Sequence, residues 1–67
     1  MKMTVVDGSS HVKAVGYENG TLRIRFHDAA LLFFNVSSRI YQGLLNADEP
    51  GHYYQRYIHG RFRYQFD

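Results

Sequence analysis

The sequence predicts a small α+β fold: an antiparallel meander of about three strands plus a short C-terminal strand, packed against one main helix and a second short helix. Three observations predict it. Asn19-Gly20 lies between two segments of strand-like character, apolar residues recur at helical spacing after Ser37, and Pro50-Gly51 separates that stretch from a shorter one.

The first hairpin joins residues 12–17 to residues 21–26 through Asn19-Gly20. Asn-Gly is the favoured pair for a type I′ turn, because both central positions need positive φ. The second strand alternates: Leu22, Ile24 and Phe26 point one way, Thr21, Arg23, Arg25 and His27 the other. That is a strand with one face on a core and one in water. His27-Asp28-Ala29 reads as a second tight turn, and Ala30 to Val36 as a third strand, apolar on both faces. Its register stays open. A two-residue turn puts Leu31 and Phe33 on the face of Ile24; a three-residue turn puts Leu32 and Phe34 there, since a one-residue slip exchanges the faces.

Ser37 is a good N-cap, and Ile40, Tyr41, Leu44 and Leu45 form an apolar stripe behind it. This helix is expected to end near Asn46-Ala47, ahead of Pro50-Gly51. A second helix is expected over His52 to Ile58, with Gly60 as its stop. Phe62, Tyr64 and Phe66 alternate with Arg61, Arg63 and Gln65, which predicts the terminal strand. The expected core is Val12 or Val15, Leu22, Ile24, Phe26, Phe33 or Phe34, Ile40, Tyr41, Leu44, Tyr54, Ile58 and Phe62, with Tyr64 as a further member. Residues 1–67 read as one domain, without repeats or linkers.

A 67-residue chain has a thin core. It has no cysteine, so neither a disulfide nor a thiolate metal site can reinforce it. Six Tyr and five Phe supply apolar mass instead. The formal charge of +2 permits nucleic-acid binding without demanding it. No apolar run suits a signal peptide or a membrane span, so the expected compartment is the cytoplasm, with no membrane partner.

Catalytic chemistry finds little support. Ser9-Ser10-His11 sets a hydroxyl beside an imidazole, but adjacent residues entering a strand point apart. His27-Asp28 is ordinary turn chemistry, and Glu18, Asp48 and Glu49 also sit beside turns. His11, His27, His52 and His59 form no pair at ligand spacing. The expectation is a non-enzyme with no catalytic residue, metal or cofactor.

The basic and aromatic residues are more informative. Arg56, Arg61 and Arg63 interleave with Tyr53, Tyr54, Tyr57, Phe62, Tyr64 and Phe66. Single-stranded nucleic acid is held by stacking on rings and by Arg on phosphates. The same rings are also core material, and only exposed ones can stack. The candidate contacts are Arg23, Arg25, Arg56, Arg61 and Arg63 for phosphates, and Tyr53 and Tyr57 for bases. The alternative is a protein partner or self-association through the apolar strand around Leu31–Phe34.

Residues 40–47 (Ile-Tyr-Gln-Gly-Leu-Leu-Asn-Ala), 51–55 (Gly-His-Tyr-Tyr-Gln), Ile58 and 61–65 (Arg-Phe-Arg-Tyr-Gln) resemble the KTSC domain, as do Val6, Ser9-Ser10, Val12 and Val15-Gly16-Tyr17. The resemblance spans roughly residues 5–66. It implies a bacterial or phage module that stands alone or ends some lysyl-tRNA synthetases. It brings no activity with it, but that company implies RNA as a partner. Where the family carries Tyr-x-Tyr on the third strand this chain has Leu31 and Phe33, so a packing role carries over and a hydroxyl role does not.

Overall fold

The structure, a computed structural model, describes residues 1–7 and 11–67. In chain order the elements are β1 (Met3–Val5), β2 (Val12–Glu18), β3 (Thr21–Phe26), β4 (Ala30–Phe33), α1 (Ser38–Asn46), α2 (Pro50–Tyr57) and β5 (Tyr64–Phe66). The strands form one antiparallel sheet in the order β1-β2-β3-β4-β5, with both helices on one face. The α+β class and the two helices are as the sequence predicts. Among the described residues the strands number five, because Met3–Val5 adds an edge strand that the sequence reading did not predict. Val5 is exposed and Thr4 polar, while Met3 is half-buried with its sulfur over Gly16; three residues are too few for that alternation to stand out.

Asn19 and Gly20 both have positive φ, as a type I′ turn requires, and Glu18 faces Thr21 across it. The second turn contains two residues, His27 and Asp28, closed by Phe26 N–H donating to the Ala29 carbonyl at 2.7 Å. Leu31 therefore pairs with Ile24 and Phe33 with Leu22, which settles the register. Leu32 pairs with Arg23 and Ala30 with Arg25 on the open face. A bulge between Val12 and Ala14 adds Lys13 to β2.

Ser37 caps α1, its side chain accepting from Ile40 N–H at 3.4 Å. The entry to that helix is clamped to the sheet. Val36 N–H donates to the Gly20 carbonyl at 2.8 Å, and the Tyr17 hydroxyl donates to the Val36 carbonyl at 2.6 Å. The Tyr17 ring then stacks on Tyr41, with centroids 5.1 Å apart. The second helix begins at Pro50, two residues earlier than expected. Proline belongs at the first position of a helix, where its missing N–H has no partner to lose. Gly60, at φ 75°, follows its end.

The buried core is Val12, Ala14, Val15, Leu22, Ile24, Phe33, Val36, Leu44 and Ile58, with Phe26, Ile40, Tyr41, Tyr54 and Phe62 packed around it. Both Val12 and Val15 are inside, and the choice between Phe33 and Phe34 falls on Phe33. Tyr64 is corrected: it is 57% exposed, because β5 is an edge strand with no element beyond it.

Tyr53 lies against Gly43 where α2 meets α1. A Cβ on Gly43 would stand only 2.6 Å from Tyr53 Cζ. Gly43→Ala is therefore expected to lower stability by about 1–3 kcal/mol, the usual cost of overpacking. In a Tyr53→Ala background the same change should stabilise by up to about 1 kcal/mol, because only the helix preference for alanine remains. Denaturant midpoints of the four proteins check this; equal effects in both backgrounds would refute the packing.

Candidate nucleic-acid interface

The seven candidate contacts do not form one patch. Arg23 and Arg25 lie on the open face of the sheet, opposite the helices. Tyr53, Arg56 and Tyr57 are carried by α2, and Arg61 and Arg63 by the segment leading to β5.

On α2, Tyr53 and Tyr57 are one helical turn apart and their rings meet at 4.7 Å. Tyr53 is half-buried over Gly43 and committed to packing; Tyr57 is 44% exposed. The Arg56 guanidinium lies 6.0 Å from the Tyr57 ring centre, at the outer limit of a cation–π contact. Arg61 folds back so that its Nε donates to the Arg56 carbonyl at 3.0 Å, which brings both guanidinium groups to one end of α2. Arg63 is exposed, and its carbonyl accepts from Phe34 N–H at 2.9 Å.

Two rings absent from the sequence-based candidates are the most exposed aromatics of the domain. Tyr64 and Phe66 project from β5 on the helix-bearing side, 57% and 72% exposed, with centroids 6.4 Å apart. They border a hollow of about 260 Å³ together with Leu31, Phe33, Tyr54 and His59. Tyr54 forms its inner wall, in edge contact with Phe26 and Phe33, and its hydroxyl is 3.3 Å from His59 Nδ1. The signal was present in the alternation of residues 62–66. What the sequence lacks is any mark that nothing covers the last strand.

Strand β4, the basis of the self-association alternative, is interior to the sheet. Its edge is taken by β5 and Phe33 is buried, which leaves Leu31 and Leu32 half-buried.

The serines of Ser9-Ser10-His11 lie outside the described residues. His27 stands 3.8 Å from Asp28, and His52 is 3.0 Å from Glu49 one turn away on α2. Among the described residues, no three His, Cys, Asp or Glu side chains are grouped to hold a metal ion, and no helix is long and apolar enough to cross a membrane.

Burial, and secondarily the Tyr64 phenol, raises the pKa of Tyr54 above 10.0; burial and then Tyr57 do the same for Tyr53. In both cases the fold favours the neutral phenol. The unfolded chain therefore loses these protons first, and rising pH favours unfolding. Stability from this source is fully present below pH 10.0 and is lost as pH rises through the folded-state values. The denaturation midpoint should fall between about pH 8 and about pH 11, and fall less in Tyr54→Phe. An equal fall in that variant would show that Tyr54 does not contribute.

A family model described as the KTSC domain matches residues 8–62. The chain is also similar to the crystal structure of a KTSC domain protein from Yersinia pestis, with a TM-score of 0.93 and 25% identity over 98% of this chain and 96% of that one. No curated protein matches.

Proposed function

The chain belongs to the KTSC domain family, and from that premise we propose that it is a non-catalytic module that binds single-stranded nucleic acid, RNA in the first instance, in the cytoplasm. One observation carries the reading: Tyr64 and Phe66 stand more than half exposed on an edge strand, directly after Arg61 and Arg63 in the chain. Each exposed ring offers a face on which a base stacks for about 1–3 kcal/mol, whatever the base. Arg61, Arg63 and Arg56 supply cations for the phosphates, and Arg is suited to that contact by its planar fork of donors. Tyr57 extends the aromatic surface beside Arg56.

A second reading, a protein partner or a second copy of the chain, draws on the same strand. Among the described residues the outer edge of β5 has no neighbouring strand, and an extended segment pairing there would cover both rings. Its mark is a change in solution mass, or binding that ignores salt.

The test is a titration of the isotopically labelled domain with mixed-sequence RNA at about 50 and 200 mM salt. Shifts are expected at residues 56–66, with log affinity falling against log salt at a slope near −2 if about three phosphates are held. Tyr64→Ala or Phe66→Ala should each lower affinity about 5- to 100-fold, and Arg61→Ala should flatten the slope. A salt-independent affinity, or one indifferent to both aromatic substitutions, would overturn the reading.

A further inference from the structure

The open face of the sheet, opposite the one to which the exposed rings belong, holds a second feature. Lys13, Arg23, Arg25, His27, Asp28 and Asp67 line a concavity of about 610 Å³. Its shape follows from the strand register. Arg25 is flanked across the sheet by Ala14 and Ala30, and Arg23 by Gly16 and Leu32. Ala30, on one side, lines the hollow beside Arg25 with a short side chain, while Ala14, on the other, is buried. Lys13 reaches the same hollow because it is the extra residue of the β2 bulge, a device that re-aims one side chain at the end of a strand pairing.

The charges are unequally matched. Arg23 is paired with the Asp67 carboxylate, and Asp67 is held in place by its backbone N–H donating to the Ala30 carbonyl at 2.9 Å. His27 has Asp28 beside it. Among the described residues neither Lys13 nor Arg25 has an ion-pair partner. With His27 neutral, the lining sets Lys13, Arg23 and Arg25 against the carboxylates of Asp28 and Asp67, and displacing Asp67 from Arg23 leaves three cationic donors that suit an oxyanion with oxygens enough for each.

We propose that this concavity is a phosphate-binding site in which Lys13 and Arg25 hold the anion and Asp67 occupies Arg23 until phosphate displaces it. The site does not depend on Tyr64 or Phe66, which point to the other side of the sheet. The phosphate has two sources, a free anion or the backbone of a nucleic acid, and both present the same group.

Amide shifts of the whole 67-residue chain during titration with inorganic phosphate, with acetate and with a short single-stranded RNA test this. Saturable shifts at Lys13, Arg25 and Ala30 are expected with phosphate, with RNA, or with both. The probe that saturates at the lower concentration of phosphate groups identifies the source. Asp67→Asn should tighten phosphate binding about two- to fivefold, the range expected for one exposed ion pair, and Lys13→Ala with Arg25→Ala should abolish it. Tyr64→Ala should leave inorganic phosphate binding unchanged while weakening RNA, which separates this site from the aromatic edge. Three outcomes would overturn the proposal: no saturable shift at these residues with either phosphate probe, acetate binding as tightly as phosphate, or an Asp67→Asn protein with unaltered affinity. A well-dispersed amide spectrum of each variant confirms that these surface changes leave the fold intact.

Discussion

The faces that β4 and β5 present follow from the length of the turn at His27-Asp28. Two residues there, closed by one hydrogen bond from Phe26 to Ala29, place Leu31 opposite Ile24 and Phe33 opposite Leu22. One more residue in the turn would exchange the faces of β4. It would direct Leu32 at the helices and leave Phe33, one of the largest fully buried side chains, in water. The same register is passed on to β5, since Tyr64 pairs with Phe33 and Phe66 with Leu31. The position of the exposed rings and of Ala30 beside Arg25 are thus two consequences of one turn.

The helical layer is attached at two points and covers less than the whole sheet. At one end, Tyr17 bonds to the Val36 carbonyl and stacks on Tyr41, while Val36 bonds to Gly20, so that the first hairpin, the linker and α1 are locked together. At the other, Tyr54 of α2 meets Phe26 and Phe33 edge-on. Beyond Phe33 the ring of Tyr64 still touches, at 6.0 Å, but it is mostly in water. The apolar edge is what two short helices leave over.

The arginines gain meaning only when sorted by face. Along the chain they read as one basic set. In the fold, Arg56 and Arg61 gather at the end of α2, while Arg23 and Arg25 stand on the open face, one of them already answered by Asp67. The cations are thus divided between two faces, one set near the exposed rings and the other on the open side of the sheet.

Much of the fold was legible in the residues because it is set locally. Asn19-Gly20 demands its turn through backbone sterics, the alternation of β3 assigns its own inner face, and Ser37 starts α1 with a hydroxyl within four residues of its partner. The family resemblance was legible for the same reason, since it rests on that local pattern. What remained open was every property that one segment acquires from another distant in sequence. The register of β4 hung on one unspoken residue of turn length. The strand β1 is three residues long, too short for its alternation to announce it, and its place is fixed by pairing with β2. Tyr53 and Tyr64 carry the same side chain within the same aromatic stretch, yet Tyr53 is drawn over Gly43 and Tyr64 is left on an edge. Sequence determines which side chains are capable of stacking or of pairing with a phosphate. Exposure depends on what lies above a side chain, and for an edge strand that is decided by the packing of elements dozens of residues away.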